Sequence, residues 1–287
     1  MNFDFTDDQH EIKRTARDLL TNRSTWAKVR EAAEGGRYDL DLWRELGELG
    51  WPGIAITEEH GGQGLGVVEL VILLEELGFA CAATPFLGTA LAGLAIQSAG
   101  SAEQQARWLP VLASGELRGA LGTPGLIPDG DGADVLVLVT ADGMRLLDAA
   151  QAGAQPVDAI DPTRRHASVT DAAAQAGETL PGDTELATDL GRAAVSAELV
   201  GIAQRALEMG VAYVKDRQQF GTPVGAFQAV AHRCAQMLRD TEMARSATYH
   251  AAWAADADPD RLPEAAGVAK AAASGSRSGS ASAAHAA

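Results

Sequence analysis

The chain has 287 residues, 46% of them apolar, which is enough to bury a sizeable core in one large domain or two to three small ones. Its 23 Lys and Arg against 39 Asp and Glu give a net charge of −16, which repels nucleic-acid phosphate and anionic membrane rather than attracting them, so no nucleic-acid partner is expected. Cys81 and Cys234 are the only cysteines, without the spacing of a zinc site, so no metal is expected and both read as buried small hydrophobes. No apolar run is long enough to span a bilayer, and the first residues lack the basic and apolar regions of a signal peptide. The expected location is cytoplasmic.

Thr6-Asp7-Asp8-Gln9 is a capping-box pattern and opens an amphipathic helix expected to stop near Gly35-Gly36. Leu42, Trp43, Leu46 and Leu49 recur at helical spacing before Gly50. The glycine-rich stretch 61–66 follows, and Val67–Leu77 then carries a broad apolar face of core leucines. Glu103–Leu112 is another helical run, interrupted by Pro110.

Near residue 120 the pattern changes. Ala133–Thr140 reads as a buried strand, Asp142-Gly143 as a turn, Met144–Leu147 as the returning strand and Ala167–Thr170 as a weaker third. From Thr184 the chain is helical again, with one helix to Lys215, a second over Ala226–Ala255 and a third from Leu262. The Ser/Gly/Ala stretch from Ser274 is expected to be a flexible low-complexity tail. The fold class is therefore α+β and mainly α: a helical domain over 1–120, a small β region over 121–183, an incomplete helical bundle over 184–273 and a tail over 274–287.

Arg217-Gln218-Gln219-Phe220-Gly221, with Gln228 downstream, sits at a corner that Gly221, Pro223 and Gly225 impose between two long helices. An arginine there offers several N–H donors to a pyrophosphate, and a glutamine can pair with a ring edge or a ribose. This R-x-x-F-G pattern with its glutamine resembles the signature of the acyl-CoA dehydrogenase flavoproteins. So does Ile54-Ala55-Ile56-Thr57-Glu58-Glu59-His60-Gly61-Gly62-Gln63-Gly64-Leu65-Gly66, followed by Glu75-Glu76-Leu77-Gly78. With Phe5-Thr6-Asp7-Asp8-Gln9, the resemblance runs over most of the chain.

The resemblance implies FAD as cofactor, an acyl-CoA substrate, a role in fatty acid metabolism and α,β-dehydrogenation of the thioester. A carboxylate takes the α proton, the β hydrogen leaves as hydride to flavin, and hydrogen bonds to the carbonyl stabilise the developing enolate. It also implies homo- or hetero-oligomers of similar subunits, with an electron-transfer flavoprotein or similar acceptor. Arg217, Phe220 and Gln228 are the implied cofactor residues, reaching a flavin on the neighbouring subunit.

Two parts of the family pattern are not met. The usual C-terminal glutamate is not found, and Gly191 fills the alternative position in Thr188-Asp189-Leu190-Gly191-Arg192, so no catalytic residue is assigned. Asp189 and Glu198 read as surface carboxylates. The middle-domain segments that hold isoalloxazine are reduced to Ile127-Pro128-Asp129-Gly130, a divergent remnant of one of them. The expectation is a subunit that lends half of a flavin site to a partner; a non-catalytic stabilising subunit or a truncated inactive homologue are the alternatives. His60 reads as a solvated loop residue. His232 and Cys234 do not share a helix face, and Trp51, Trp108 and Trp253 read as packing residues.

Overall fold

The computed structural model describes residues 4–286, with side chains described through residue 275. Helices α1 (Asp7–Arg23), α2 (Trp26–Gly35), α3 (Leu40–Glu48), α4 (Val67–Ala80), α5 (Phe86–Ala99) and α6 (Ala102–Ala113) come first. Then come β1 (Gly119–Gly122), β2 (Val135–Thr140), β3 (Gly143–Asp148), α7 (Ala149–Ala152), β4 (Gln155–Val157), β5 (His166–Ser168), α8 (Asp171–Gln175) and β6 (Glu178–Thr179). The chain continues with α9 (Thr184–Asp216), the short strands β7 (Gln218–Gln219) and β8 (Thr222–Pro223), α10 (Gln228–Ala257) and α11 (Leu262–Ala286). This is the expected mainly helical α+β fold. It packs as two compact units, one from Met1–Arg17, Val71–Cys81 and Arg192–Ala287, the other from Asp18–Leu70 and Ala82–Gly191.

In the second unit a four-stranded sheet runs in the order β1-β2-β3-β6, with β1 parallel to β2 and the β2–β3 hairpin closed where Thr140 faces Gly143. Strand alternation splits its side chains between two cores. Val135, Val137, Met144 and Leu146 pack with α5 and α6, while Leu136, Leu138 and Leu147 pack with Ile127, Val169 and Ala174. Helix α5 is buried nearly all round, so its sequence carries no amphipathic period. A side chain at Gly88 would meet Asp129 and the Gly119 carbonyl, which is why the helix is glycine there.

In the first unit Val200, Ala244 and Ala273 bring α9, α10 and α11 together through small residues. Helices α4 and α9 touch backbone to backbone: a Cβ at Gly78 would strike the Glu198 carbonyl, and one at Gly201 the Glu75 carbonyl.

Several expectations are corrected. The single first helix is two, because Thr25 takes an extended conformation and caps α2 by accepting from the Lys28 N–H. Helix α6 runs through Pro110, and β5 pairs with β4 rather than joining the hairpin sheet. The stretch from Ser274 is not a structureless tail, since α11 continues to Ala286. It is rich in alanine and free of proline, and lengthening an anchored helix avoids the cost of nucleation. Trp51 and Trp108 are buried, whereas Trp253 is 38% exposed and stacks on His250. Both cysteines are half-buried rather than core residues.

Candidate functional site

The corner after α9 is a closed turn. The Arg217 N–H donates to the Tyr213 carbonyl at 2.9 Å, ending the helix, and the Val224 N–H returns to the Arg217 carbonyl at 2.9 Å. Phe220 and Gly221 take left-handed φ values of 52° and 77°. That conformation is unfavourable for phenylalanine, yet its ring is 95% exposed, touching Phe227 edge-on at 6.4 Å between centroids. Gln228 is exposed on the first turn of α10. Arg217 is exposed too; its Nη1 donates to the Tyr213 hydroxyl at 2.6 Å, its guanidinium lies 5.7 Å from that ring, and no carboxylate among the described residues pairs with it. The corner thus presents a cation, an aromatic ring and an amide outward, a donor set that fits a phosphate-bearing group. Tyr213 was missed by sequence reasoning, although its spacing of i, i+4 from Arg217 is the available signal.

The segment Ile127–Gly130 is turned into its own unit. Asp129 is 1% exposed, has φ 59°, and accepts from the Tyr38 hydroxyl at 2.6 Å, the Gly88 N–H at 3.0 Å and Arg164 Nη1 at 3.3 Å. Burial, and then the Asp129 charge, push the Tyr38 phenol far above its ordinary range. With Ile127 fully buried as well, the segment's inward groups are already satisfied, so they do not fit as a flavin cradle.

The Glu75-Glu76 pair of α4 is also buried, in the first unit. Glu75 accepts from Lys13 Nζ at 3.0 Å, from Arg245 Nε at 3.0 Å and from the Tyr249 hydroxyl, while Glu76 is forked by Arg17, whose Nη2 lies 3.1 Å from Oε1. Burial alone raises the Glu75 pKa; Lys13, Arg245 and the Tyr249 hydrogen bond outweigh it and hold the carboxyl below the usual range. Carboxylates so committed to cations are braces, not bases. Asp189 is not a surface residue as expected but 5% exposed, while Glu198 is half-buried. At Gly191 an added Cβ has only Leu91 beside it, at 3.5 Å. His60 is partly exposed, with Nδ1 2.9 Å from the Thr57 hydroxyl, and His232 is exposed. Among the described residues no cluster could hold a metal ion, and no helix is long and apolar enough to cross a membrane.

A helical N-terminal part, a small β sheet and long C-terminal helices define an acyl-CoA dehydrogenase-like fold. The comparisons with known proteins agree. The acyl-CoA dehydrogenase N-terminal domain matches residues 6–116 and the C-terminal domain matches 184–285, so the chain belongs to the acyl-CoA dehydrogenase family of FAD-dependent oxidoreductases. It is 37% identical to acyl-CoA dehydrogenase IpdE2 of Mycolicibacterium smegmatis, over 85% of this chain and 76% of that protein. It is 36% identical to IpdE2 of Mycobacterium tuberculosis, over 94% and 84%. Among solved structures it is similar to the ChsE4-ChsE5 complex from Mycobacterium tuberculosis, with TM-score 0.82 and 27% identity, covering 99% of this chain and 88% of that one. A Tcur3481-Tcur3483 steroid ACAD gives TM-score 0.81 and 29% identity, covering 97% and 86%.

Proposed function

We propose that this chain is the half-site subunit of an FAD-dependent acyl-CoA dehydrogenase, lending Arg217, Phe220 and Gln228 to a flavin held mainly by a partner subunit. The carrying observation is the asymmetry between its two candidate half-sites: the Arg217 corner is outward and its cation is paired with no carboxylate among the described residues, while the Ile127–Gly130 segment is closed around Asp129. Arg217 would meet the pyrophosphate, and Phe220 and Gln228 the neighbouring cofactor surface. FAD supplies the hydride acceptor when bound. The base comes from the partner, because Glu75 and Glu76 are committed to cations and Gly191 offers no acid.

Similarity to a ChsE4-ChsE5 complex supports an assembly of unlike subunits. Similarity to a steroid ACAD sets a polycyclic acyl-CoA thioester beside fatty acyl-CoA as substrate, and turnover of both by the assembly separates them. The reading is tested by purification. The chain alone should carry far less than one flavin per polypeptide, since one exposed cation cannot offset the ordering of a dinucleotide, and the assembly should be yellow. A stoichiometric, tightly bound flavin on the homogeneous isolated chain would overturn it.

A further inference from the structure

We infer that the Tyr213 hydroxyl is a second donor to the anion that Arg217 binds, so that the two residues form one composite phosphate site at the end of α9. This inference rests on the corner serving as a flavin half-site. Its basis is the direction of one hydrogen bond. Arg217 has only donors, so at 2.6 Å the Tyr213 oxygen must be the acceptor, and its own O–H is left over. That hydrogen points away from the guanidinium N–H it receives. Tyr213 is 44% exposed, and no second contact of the hydroxyl occurs among the described residues. An oxyanion on the remaining N–H edge of Arg217 therefore has a phenolic donor beside it. The same bond holds the guanidinium at the hydroxyl end of the Tyr213 ring, 5.7 Å from its centroid, so the cation is oriented before the ligand arrives.

The experiment uses the full chain in its assembly with the partner subunit, stripped of flavin and titrated with FAD by fluorescence quenching. Tyr213→Phe, which keeps the ring, should weaken FAD binding about tenfold, as the loss of a hydrogen bond to a charged group does. In the Arg217→Ala background the same change should cost nothing further, because the hydroxyl is placed by the arginine. The urea midpoint of Tyr213→Phe should match the wild type. Unaltered affinity in Tyr213→Phe alongside a weakened Arg217→Ala would overturn the composite site and leave the half-site standing. Unaltered affinity in Arg217→Ala would remove the half-site and the composite site with it. A fall in the urea midpoint of Tyr213→Phe that matches its loss of affinity would assign the hydroxyl to folding and overturn the inference.

Discussion

Arg245 of α10 donates through Nε to Glu75 Oε1 of α4 at 3.0 Å, with the arginine side chain 20% and the glutamate 3% exposed. Arg245 is one of the two cations that neutralise a buried carboxylate, and its Nη2 also donates to Gln204 Oε1 at 2.7 Å. Removing Arg245 leaves the buried carboxylate with Lys13 and the Tyr249 hydroxyl alone, so the cost approaches but stays below the about 3–5 kcal/mol of a fully stranded charge. Arg245→Ala should therefore lower the urea midpoint of the full chain substantially, and Arg245→Lys by less. A midpoint unchanged in Arg245→Ala would mean the pair is solvated.

The same carboxylate sets an acid limit. Glu75 has its folded-state pKa depressed, so its contribution is present above the unfolded value of 4.5 and is lost as pH falls through the folded one. Tyr38 and Tyr249 have raised values, so theirs is present below 10.0 and is lost as pH rises beyond it. Stability measured against pH should fall on both sides, below about pH 4.5 and above about pH 10. Glu75→Gln should flatten the acid limb. An acid limb as steep in Glu75→Gln as in the wild type would place the titrating group elsewhere.

Gly201 should not tolerate a side chain. An alanine there would push its Cβ into the Glu75 carbonyl, where the neighbour is helix backbone and cannot swing aside. Gly201→Ala should destabilise by about 3 kcal/mol or more, against the usual preference for alanine in a helix. A stabilised Gly201→Ala in thermal denaturation would contradict the close approach of α4 and α9.

Asp129 should be needed for folding, not for turnover alone. It collects a phenol, a backbone amide and a guanidinium in one buried spot, so Asp129→Ala strands three donors. Asp129→Asn keeps an acceptor and a side chain that tolerates positive φ, so the loss should be smaller. Equal midpoints for wild type and Asp129→Ala would show that the cluster does not hold the loop.

Local signals made much of this legible. The capping box at Thr6 and Gln9 forms reciprocally, at 3.0 and 3.2 Å, and the hairpin turns at Ala141-Asp142, one residue before the Asp142-Gly143 pair that signals it, because Gly143 already pairs with Thr140. What stayed hidden depends on distant partners. Nothing near Arg245 in sequence announces Glu75, nothing near Asp129 announces Tyr38, and α5 has no polar face to mark it as a helix. At the corner the motif marked Arg217, Phe220 and Gln228, but the hydroxyl beside the arginine needed the geometry of the last helical turn.

Flavin content of the assembly in two arginine variants is the most direct measurement. Arg217→Ala removes the outward cation, and Arg239→Ala removes a 63%-exposed helix arginine whose one ion pair among the described residues is with its neighbour Asp240. A charge-assisted contact to phosphate is worth roughly 1.5–3 kcal/mol, so Arg217→Ala should weaken FAD retention more than tenfold while Arg239→Ala leaves it unchanged. Equal flavin content in the two variants would contradict a cofactor role for the Arg217 corner.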